Sequence, residues 1–442
     1  MHISKNFRNF LILLNIYLIM EGLNYLSHSI QYEKISKINE DNEKIRNKKN
    51  KKDKKKVKLH AKTMKDDLLN HFKNFNTNID MVFGGRTRSL SKTEIHDSLA
   101  KIIYSPYHKN IKSSSLIFEI INKYEEKINE KLLEFNKNYN QTDINESLNE
   151  LSNESSNESL KVWYKPLPLV LTFEAITMYS DVTMFLKGFN KFTYENGLVI
   201  WIKKGTTKEN DAIIFLHAGA GGIVVQLEFI NKLPETHTII IPEIPGISFG
   251  GRVFVPPTIR EISELIVDFS ISLKMSSLQL ISHSFGGNII SCIINNYVKK
   301  LEKNKIKLIN TTLVEPIIFL PSLFSVYKLL NEDINSDDVL NIIKNDSSKL
   351  LSYILIFRDI YAQYYSKCLT MTDVLMGTTD YEKNNCINII LSEYDELYSA
   401  SECEHYLKSK KYNCNIIMRK NNYHGDFCFN KETHNIVVGL II

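Results

Sequence analysis

From residue 189 onward, short apolar runs recur along the chain: Phe189 to Tyr194, Leu198 to Lys203, Ala212 to Leu216, Thr238 to Ile241, Leu278 to Ile281, Thr311 to Val314, Ile387 to Leu391 and Asn415 to Met418. Runs of this length bounded by polar or turn-forming residues read as strands. Helical spacing separates several of them. Ile262, Leu265, Ile266 and Phe269 mark one helix, with Thr258 as its cap, and Ile289, Ile290, Ile293, Ile294 and Val298 mark another. Glu195-Asn196-Gly197 joins the first two strands with an Asn-Gly hairpin signal. Strands alternating with helices predict an α/β fold, a mostly parallel sheet covered on both faces, with ligands beyond the carboxyl ends of its strands.

Upstream the pattern is of a different kind. Phe10 to Met20 is an eleven-residue apolar run broken only by Asn15 and preceded by Lys5 and Arg8. That is the length of a signal-peptide core and too short to span a bilayer unaided. Residues 1–29 therefore read as a signal peptide, with Ser27-His28-Ser29 as a small-x-small cleavage site, or as a retained anchor over residues 10–26; a buried amphipathic helix is the third reading. The first two imply entry to the secretory pathway, and the second a membrane contact through this segment. Residues 30–65 are rich in Lys and Asn without apolar periodicity and read as disordered. A basic stretch behind a signal peptide also resembles a bipartite plastid-targeting leader. Residues 66–135 carry helical patterning at Ile117, Ile120, Ile121, Tyr124 and Ile128, an extension that either packs on the main domain or stands apart. Residues 136–161 are a low-complexity linker in which Asn-Glu-Ser recurs at 145, 153 and 157. Order resumes at 162, where Trp163 to Pro168 leads into an apolar helical segment ending near Gly188.

Charge changes this picture little. The net charge of +5 conceals a local +9 between Lys44 and Lys58, where ten basic residues face the single acid Asp53, so the remaining chain sums to −4. A mildly acidic body offers no footprint for nucleic acid. The six cysteines (Cys292, Cys368, Cys386, Cys403, Cys414 and Cys428) have neither metal-site nor disulfide-framework spacing and read as reduced thiols, most of them in the core.

The chemistry collects at strand ends. After Leu278 to Ile281 comes Ser282-His283-Ser284-Phe285-Gly286-Gly287, one residue away from the G-x-S-x-G turn that lifts a nucleophilic serine above a sheet. Ser284 is the candidate nucleophile. His217-Ala218-Gly219-Ala220-Gly221-Gly222 follows an earlier strand, and small residues there let backbone N–H groups face open space. A developing oxyanion needs such donors, each worth about 3 kcal/mol when preorganised. The candidate pair is Phe285 with Ala218 or Gly219. Neither the dinucleotide-binding nor the P-loop glycine pattern is present. A serine hydroxyl also needs an imidazole to take its proton and a carboxylate to orient that imidazole, in the chain order serine, acid, histidine for this kind of turn. Asp395 and His424 each fall a few residues beyond a strand, in that order. Glu315, at the end of the preceding strand, is the alternative acid, and Asp426 reads as a residue that shapes the histidine loop.

With these residues in view, 162–442 resembles an α/β-hydrolase-fold protein of the serine esterase/lipase type. The carriers are His217-Ala218-Gly219, the turn Pro242-Glu243-Ile244-Pro245-Gly246-Ile247-Ser248, the Ser282 to Gly287 turn, the acid turn Ser392 to Asp395, and Tyr423-His424-Gly425-Asp426-Phe427. A nearer likeness is to poorly characterised eukaryotic members with a DP-x-x-F-L segment after strand six and an HGDF histidine loop, here Glu315 to Leu320 and His424 to Phe427. The departures are Ser282 and Ala218, both standing where glycine is usual. The resemblance implies a helical cap inserted at 316–386, whose aromatic residues either face an acyl chain or pack the cap on the body. It also implies hydrolysis of carboxylic, lipid or acyl esters through Ser284, His424 and Asp395, with no metal or organic cofactor. Acyl transfer and thioester cleavage use the same machinery. A non-catalytic ligand-binding or interaction protein on the same fold is the reading from a different class.

Overall fold

The computed structural model describes residues 17–37, 164–219, 221–248, 256–319, 359–368, 371–376, 387–409 and 413–442, with isolated positions between them. Its eight strands are β1 (Asn190–Thr193), β2 (Val199–Lys203), β3 (Lys208–Leu216), β4 (His237–Glu243), β5 (Ser277–His283), β6 (Lys307–Val314), β7 (Ile387–Tyr394) and β8 (Cys414–Tyr423). They form one sheet in the order β1-β2-β4-β3-β5-β6-β7-β8. The first two pairings are antiparallel and the other five parallel. A mostly parallel sheet in this order, with helices on both faces, is the α/β-hydrolase fold. All eight predicted strands are present, each with its apolar middle inside the observed span.

Alternation along the central strands builds the two faces, because successive side chains point to opposite sides. Ile214, Leu216, Leu278 and Leu280 join one core with Ile262, Ile266, Ile289 and Ile293 of the helices Ile259–Ser272 and Gly286–Lys303. Ile213, Phe215, Ile281 and Ile390 face the other way and pack with Met184, Phe229, Phe427 and Val437. The helix Ile259–Ser272 starts at Thr258 as expected. The Thr258 hydroxyl accepts from the Glu261 amide at 3.3 Å and the Glu261 carboxylate accepts from the Thr258 amide at 2.7 Å, a capping box.

Upstream residues are tied to this body. Residues 17–37 are helical, so the signal or anchor segment of the sequence reading lies in this helix from Tyr17 on, residues 30–37 of the stretch expected to be disordered form its last turns instead, and Phe10 to Ile16 fall outside the described residues. Ile35, Ile95, Leu99, Ile117, Ile120 and Ile121 are buried in the same core cluster as the sheet; Tyr124 and Ile128, and the segments 38–65 and 136–161, lie outside the described residues. The apolar helix before β1, α1 (Leu167–Leu186), is among the described residues the one helix long and apolar enough to cross a membrane. Of the cap region, the helix α2 (Ile360–Cys368) and the short turn of helix Met371–Val374 are described. Tyr361, Tyr364 and Tyr365 of α2 are buried in the core, and Asp373 pairs with Arg260 at 2.5 Å, so these parts pack on the body.

Candidate active site

The centre of the site is the turn between β5 and the helix Gly286–Lys303. β5 is buried along its whole length between β3 and β6, which fixes the turn at the middle of the sheet's carboxyl edge. Ser284 has φ 48°, a left-handed conformation that a side-chain-bearing residue adopts only at a cost of order 1 kcal/mol. Its amide donates to Val314 O at 2.9 Å and its carbonyl accepts from Gly287 N at 3.0 Å, which hold the turn closed. Gly286 is needed for a steric reason: a Cβ there would lie 2.3 Å from Leu216 O on the adjacent strand. Ser282, in place of the usual glycine, is fully buried and its hydroxyl has no hydrogen-bond partner among the described residues.

Ser284 Oγ lies 2.9 Å from His424 Nε2, and His424 Nδ1 lies 2.6 Å from Asp395 Oδ2. The second contact makes Nδ1 the protonated nitrogen, which leaves Nε2 free to accept from the serine hydroxyl. Asp395 is held by its other oxygen, which accepts from Leu397 N at 2.9 Å. Burial pushes the His424 imidazole down, but the Asp395 charge and hydrogen bond, and behind them the Glu315 charge, outweigh it and raise the group to about 9. Asp426 accepts from Tyr423 N at 2.8 Å and shapes the histidine loop, as its sequence position implied.

Glu315 is not at His424 Nδ1. It also has φ 48°, and its carboxylate lies below the histidine loop. There it accepts from His283 Nε2 at 2.8 Å, Ser392 Oγ at 2.6 Å and the Gly425 amide at 2.6 Å. Burial favours the neutral acid, yet the His283 hydrogen bond and the neighbouring donors win and bring it down to about 2. The Gln226 amide donates to His283 Nδ1 at 2.9 Å, so His283 presents its Nε2 proton to Glu315. Sequence reasoning passed over Gln226, His283 and Ser392. The only signal was that two of them sit inside motif turns already singled out.

The small-residue loop after β3 is positioned by His217. Its Nδ1–H donates to Ala218 O at 2.7 Å and its Nε2 accepts from Ile244 N at 2.9 Å, which ties this loop to the Pro242 to Ser248 turn. Burial drives the His217 imidazole down to about 4, so it stays neutral in both roles. Gly219 faces Phe285, whose Cβ would sit 3.5 Å from a Cβ placed at Gly219. The loop and the residue after Ser284 are thus in contact range. Phe285 in turn packs edge-on against Tyr365 of α2 at 5.5 Å between ring centres.

Among the described residues His283, Glu315 and His424 offer ligand atoms within 4.8 Å of one another, a set able to hold a metal ion. Each is already engaged: His283 with Glu315, Glu315 with three donors, and His424 with Ser284 and Asp395. Cys292, Cys403 and Cys428 are free and buried, and burial raises all three thiols, Cys292 and Cys428 to about 12.

No protein-family model matches the chain, and no curated sequence does. Solved structures are similar at low identity. A membrane phospholipase A, described as a bacterial virulence factor, matches with 13% identity and a TM-score of 0.44, over 60% of this chain and 90% of its own. A putative lipase from Acinetobacter baumannii AYE matches with 14% identity and 0.41, over 60% and 93%. The carboxylesterase CesB from Bacillus subtilis matches with 17% identity and 0.41, over 62% and 98%. At these TM-scores the fold assignment rests on the strand order, and function on the site's own geometry.

Proposed function

We propose that the protein is a serine hydrolase of carboxylic esters, with lipid or other acyl esters as its substrates. The observation that carries this is the hydrogen-bonded series Ser284 Oγ, His424 Nε2, His424 Nδ1, Asp395 Oδ2 on a left-handed strand-to-helix turn. Ser284 Oγ attacks the acyl carbonyl carbon while His424 Nε2 takes its proton. The imidazolium then protonates the leaving alkoxide, and the acyl-enzyme remains. Water, deprotonated by His424, attacks that ester, and collapse returns the proton to Ser284 with release of the acid. Asp395 holds the imidazole in the working tautomer throughout.

The oxyanion of each tetrahedral intermediate takes the Phe285 amide and one amide from the loop. Gly219 is the better loop donor of the two candidates. In a trans peptide the Ala218 carbonyl and the Gly219 N–H point in opposite directions. With the carbonyl turned into His217, that N–H is directed away from the ring. Substituting Gly219→Pro, which removes the donor, is expected to lower kcat about 10²–10³-fold.

The test is labelling with a fluorophosphonate, followed by turnover of p-nitrophenyl esters of increasing chain length. The expected result is one adduct on Ser284, absent in Ser284→Ala, and loss of about a thousandfold or more in kcat for that variant. Folded protein that gives no Ser284-dependent adduct and no turnover overturns this reading in favour of a binding role.

A further inference from the structure

The helix over residues 17–37 is inside out. Its buried positions include Asn24 and Gln31 along with Ile35, while its apolar side chains Leu18, Ile19, Leu23, Leu26 and Ile30 are exposed, Ile19 at 64% and Leu23 at 62%. A helix docked on a soluble body normally turns its apolar stripe inward. Here polar side chains share the docking with Ile35 and Tyr32, which pack on the main core. Glu21 accepts from the Tyr164 hydroxyl and from the Leu167 amide at 3.0 Å, Asn24 donates to Tyr164 Oη at 2.7 Å and Lys165 O at 3.1 Å, and Gln31 donates to the Tyr361 hydroxyl.

The helix to which Glu21 is bonded has the same excess. α1 is held to the body by Phe173, Ser180 and Met184, which repeat at seven and four residues and so share one face. Leu171, Met178, Tyr179, Val182, Phe185 and Leu186 are exposed, Met178 at 68% and Leu186 at 84%. The threonine hydroxyls of α1 are satisfied within the helix. Thr172, Thr177 and Thr183 each donate to the carbonyl four residues back, at 2.8, 2.9 and 2.8 Å, so none needs water as acceptor. Asp181 is paired with Lys191 at 2.6 Å. Two helices some 140 residues apart in sequence are thus bonded at the start of α1, and each carries a row of exposed large apolar side chains. The ten basic residues from Lys44 to Lys58 begin seven positions after Lys37.

We propose that these two helix faces seat the protein on a phospholipid surface, both helices lying in its plane, with the Lys44 to Lys58 tract adding attraction to anionic headgroups. An apolar face combined with a polybasic segment is the two-signal arrangement that gives stable peripheral binding. The helices lie rather than span, because lifting α1 out would expose Met184, which packs in the core with Trp201 and Phe215. The docked side of the first helix reaches toward the site. Gln31 bonds Tyr361, and Tyr365, one turn further along α2, packs on Phe285. Taken with the acyl-ester reading, this makes membrane-resident acyl esters the substrate class; the binding itself does not depend on that reading.

The experiment is flotation of the full chain with vesicles of phosphatidylcholine, with and without phosphatidylserine. The parent protein is expected to float with both and more with the anionic set. Leu171→Glu/Met178→Glu/Val182→Glu, and separately Ile19→Glu/Leu23→Glu, are expected to weaken partitioning about tenfold or more on both vesicles. Replacing the lysines of the tract with glutamine is expected to remove only the preference for phosphatidylserine. Circular dichroism melts of the exposed-face variants check that the fold survives. The same assay on Ser284→Ala is expected to show full binding, so failure of the hydrolase reading and failure of this one are distinguishable. A parent that floats with neither vesicle, folded face variants that float as well as the parent, or a dimer in sedimentation that the face variants dissociate would each overturn it.

Discussion

At the scale of the residue, two carboxylates with different duties meet the same histidine loop. Asp395 orients His424 directly; Glu315 acts through His283, Ser392 and the Gly425 amide, and so positions the loop that carries the base. In the proposed mechanism His424 serves as base only when neutral, and it is raised to about 9, so kcat/KM is expected to fall as pH drops through that value. Glu315→Gln removes one of the charges that raise His424 and should move the inflection of a kcat/KM pH profile to lower pH, with about a tenfold loss in kcat from the loosened loop. A purely structural Glu315 would lower stability without moving the inflection. Glu315 also carries a linkage of its own. Its folded-state value of about 2 lies below the ordinary 4.5, so its contribution to stability is present above 4.5 and is lost as pH falls toward 2. Acid unfolding followed by circular dichroism should be steeper over that window in the parent than in Glu315→Gln. The distinction between these acids was not legible in the sequence, where both stand just beyond strands. Only the sheet order, which sets β6 beside β7, puts Glu315 beneath the loop rather than beside the ring.

At the scale of the element, the strand-to-helix turn is constrained by its neighbours more than by its own residues. Gly286→Ala would drive a methyl into Leu216 O and is expected to destabilise the fold by about 1–3 kcal/mol in urea unfolding. Thr258→Ala, which opens the capping box of Ile259–Ser272, should cost about 1 kcal/mol in the same measurement. The apolar middles of the strands were legible because burial on both faces demands unbroken hydrophobic runs. Their ends were not. β8 continues through Arg419, Lys420 and Asn421, polar residues that an edge strand tolerates because, among the described residues, only β7 pairs with it. The order of Asp395 and His424 after Ser284 is a property of the chain, and the structure brings the three side chains into hydrogen-bond range. In sequence His217 is only the start of a small-residue loop, since its task of joining two turns depends on a contact 27 residues away in sequence, with Ile244 N.

At the scale of the whole molecule, the α/β body and the apolar helices packed on it form a connected structure. Trp201 is fully buried in β2, with Phe185 of α1 against its ring at 5.1 Å and Lys191 over its face. With Trp163→Phe leaving Trp201 as the single tryptophan, emission on adding anionic vesicles should keep its buried, blue position if α1 stays docked, and shift or be quenched if the helix leaves the body to insert. The place of residues 17–37 was the least legible part of the fold. Its apolar residues point to a signal, an anchor or a core helix, and the deciding residues are the polar ones between them. Glu21 has a further consequence. Pro166 offers no side chain to cap α1, and the carboxylate that accepts from the Leu167 amide comes from residue 21. The first segment is therefore held to the rest by side-chain bonds as well as by the peptide backbone. A chain severed between residues 38 and 91 by an engineered protease site should elute as one species of two fragments, and Glu21→Ala should weaken that association, read as partial separation on the same column.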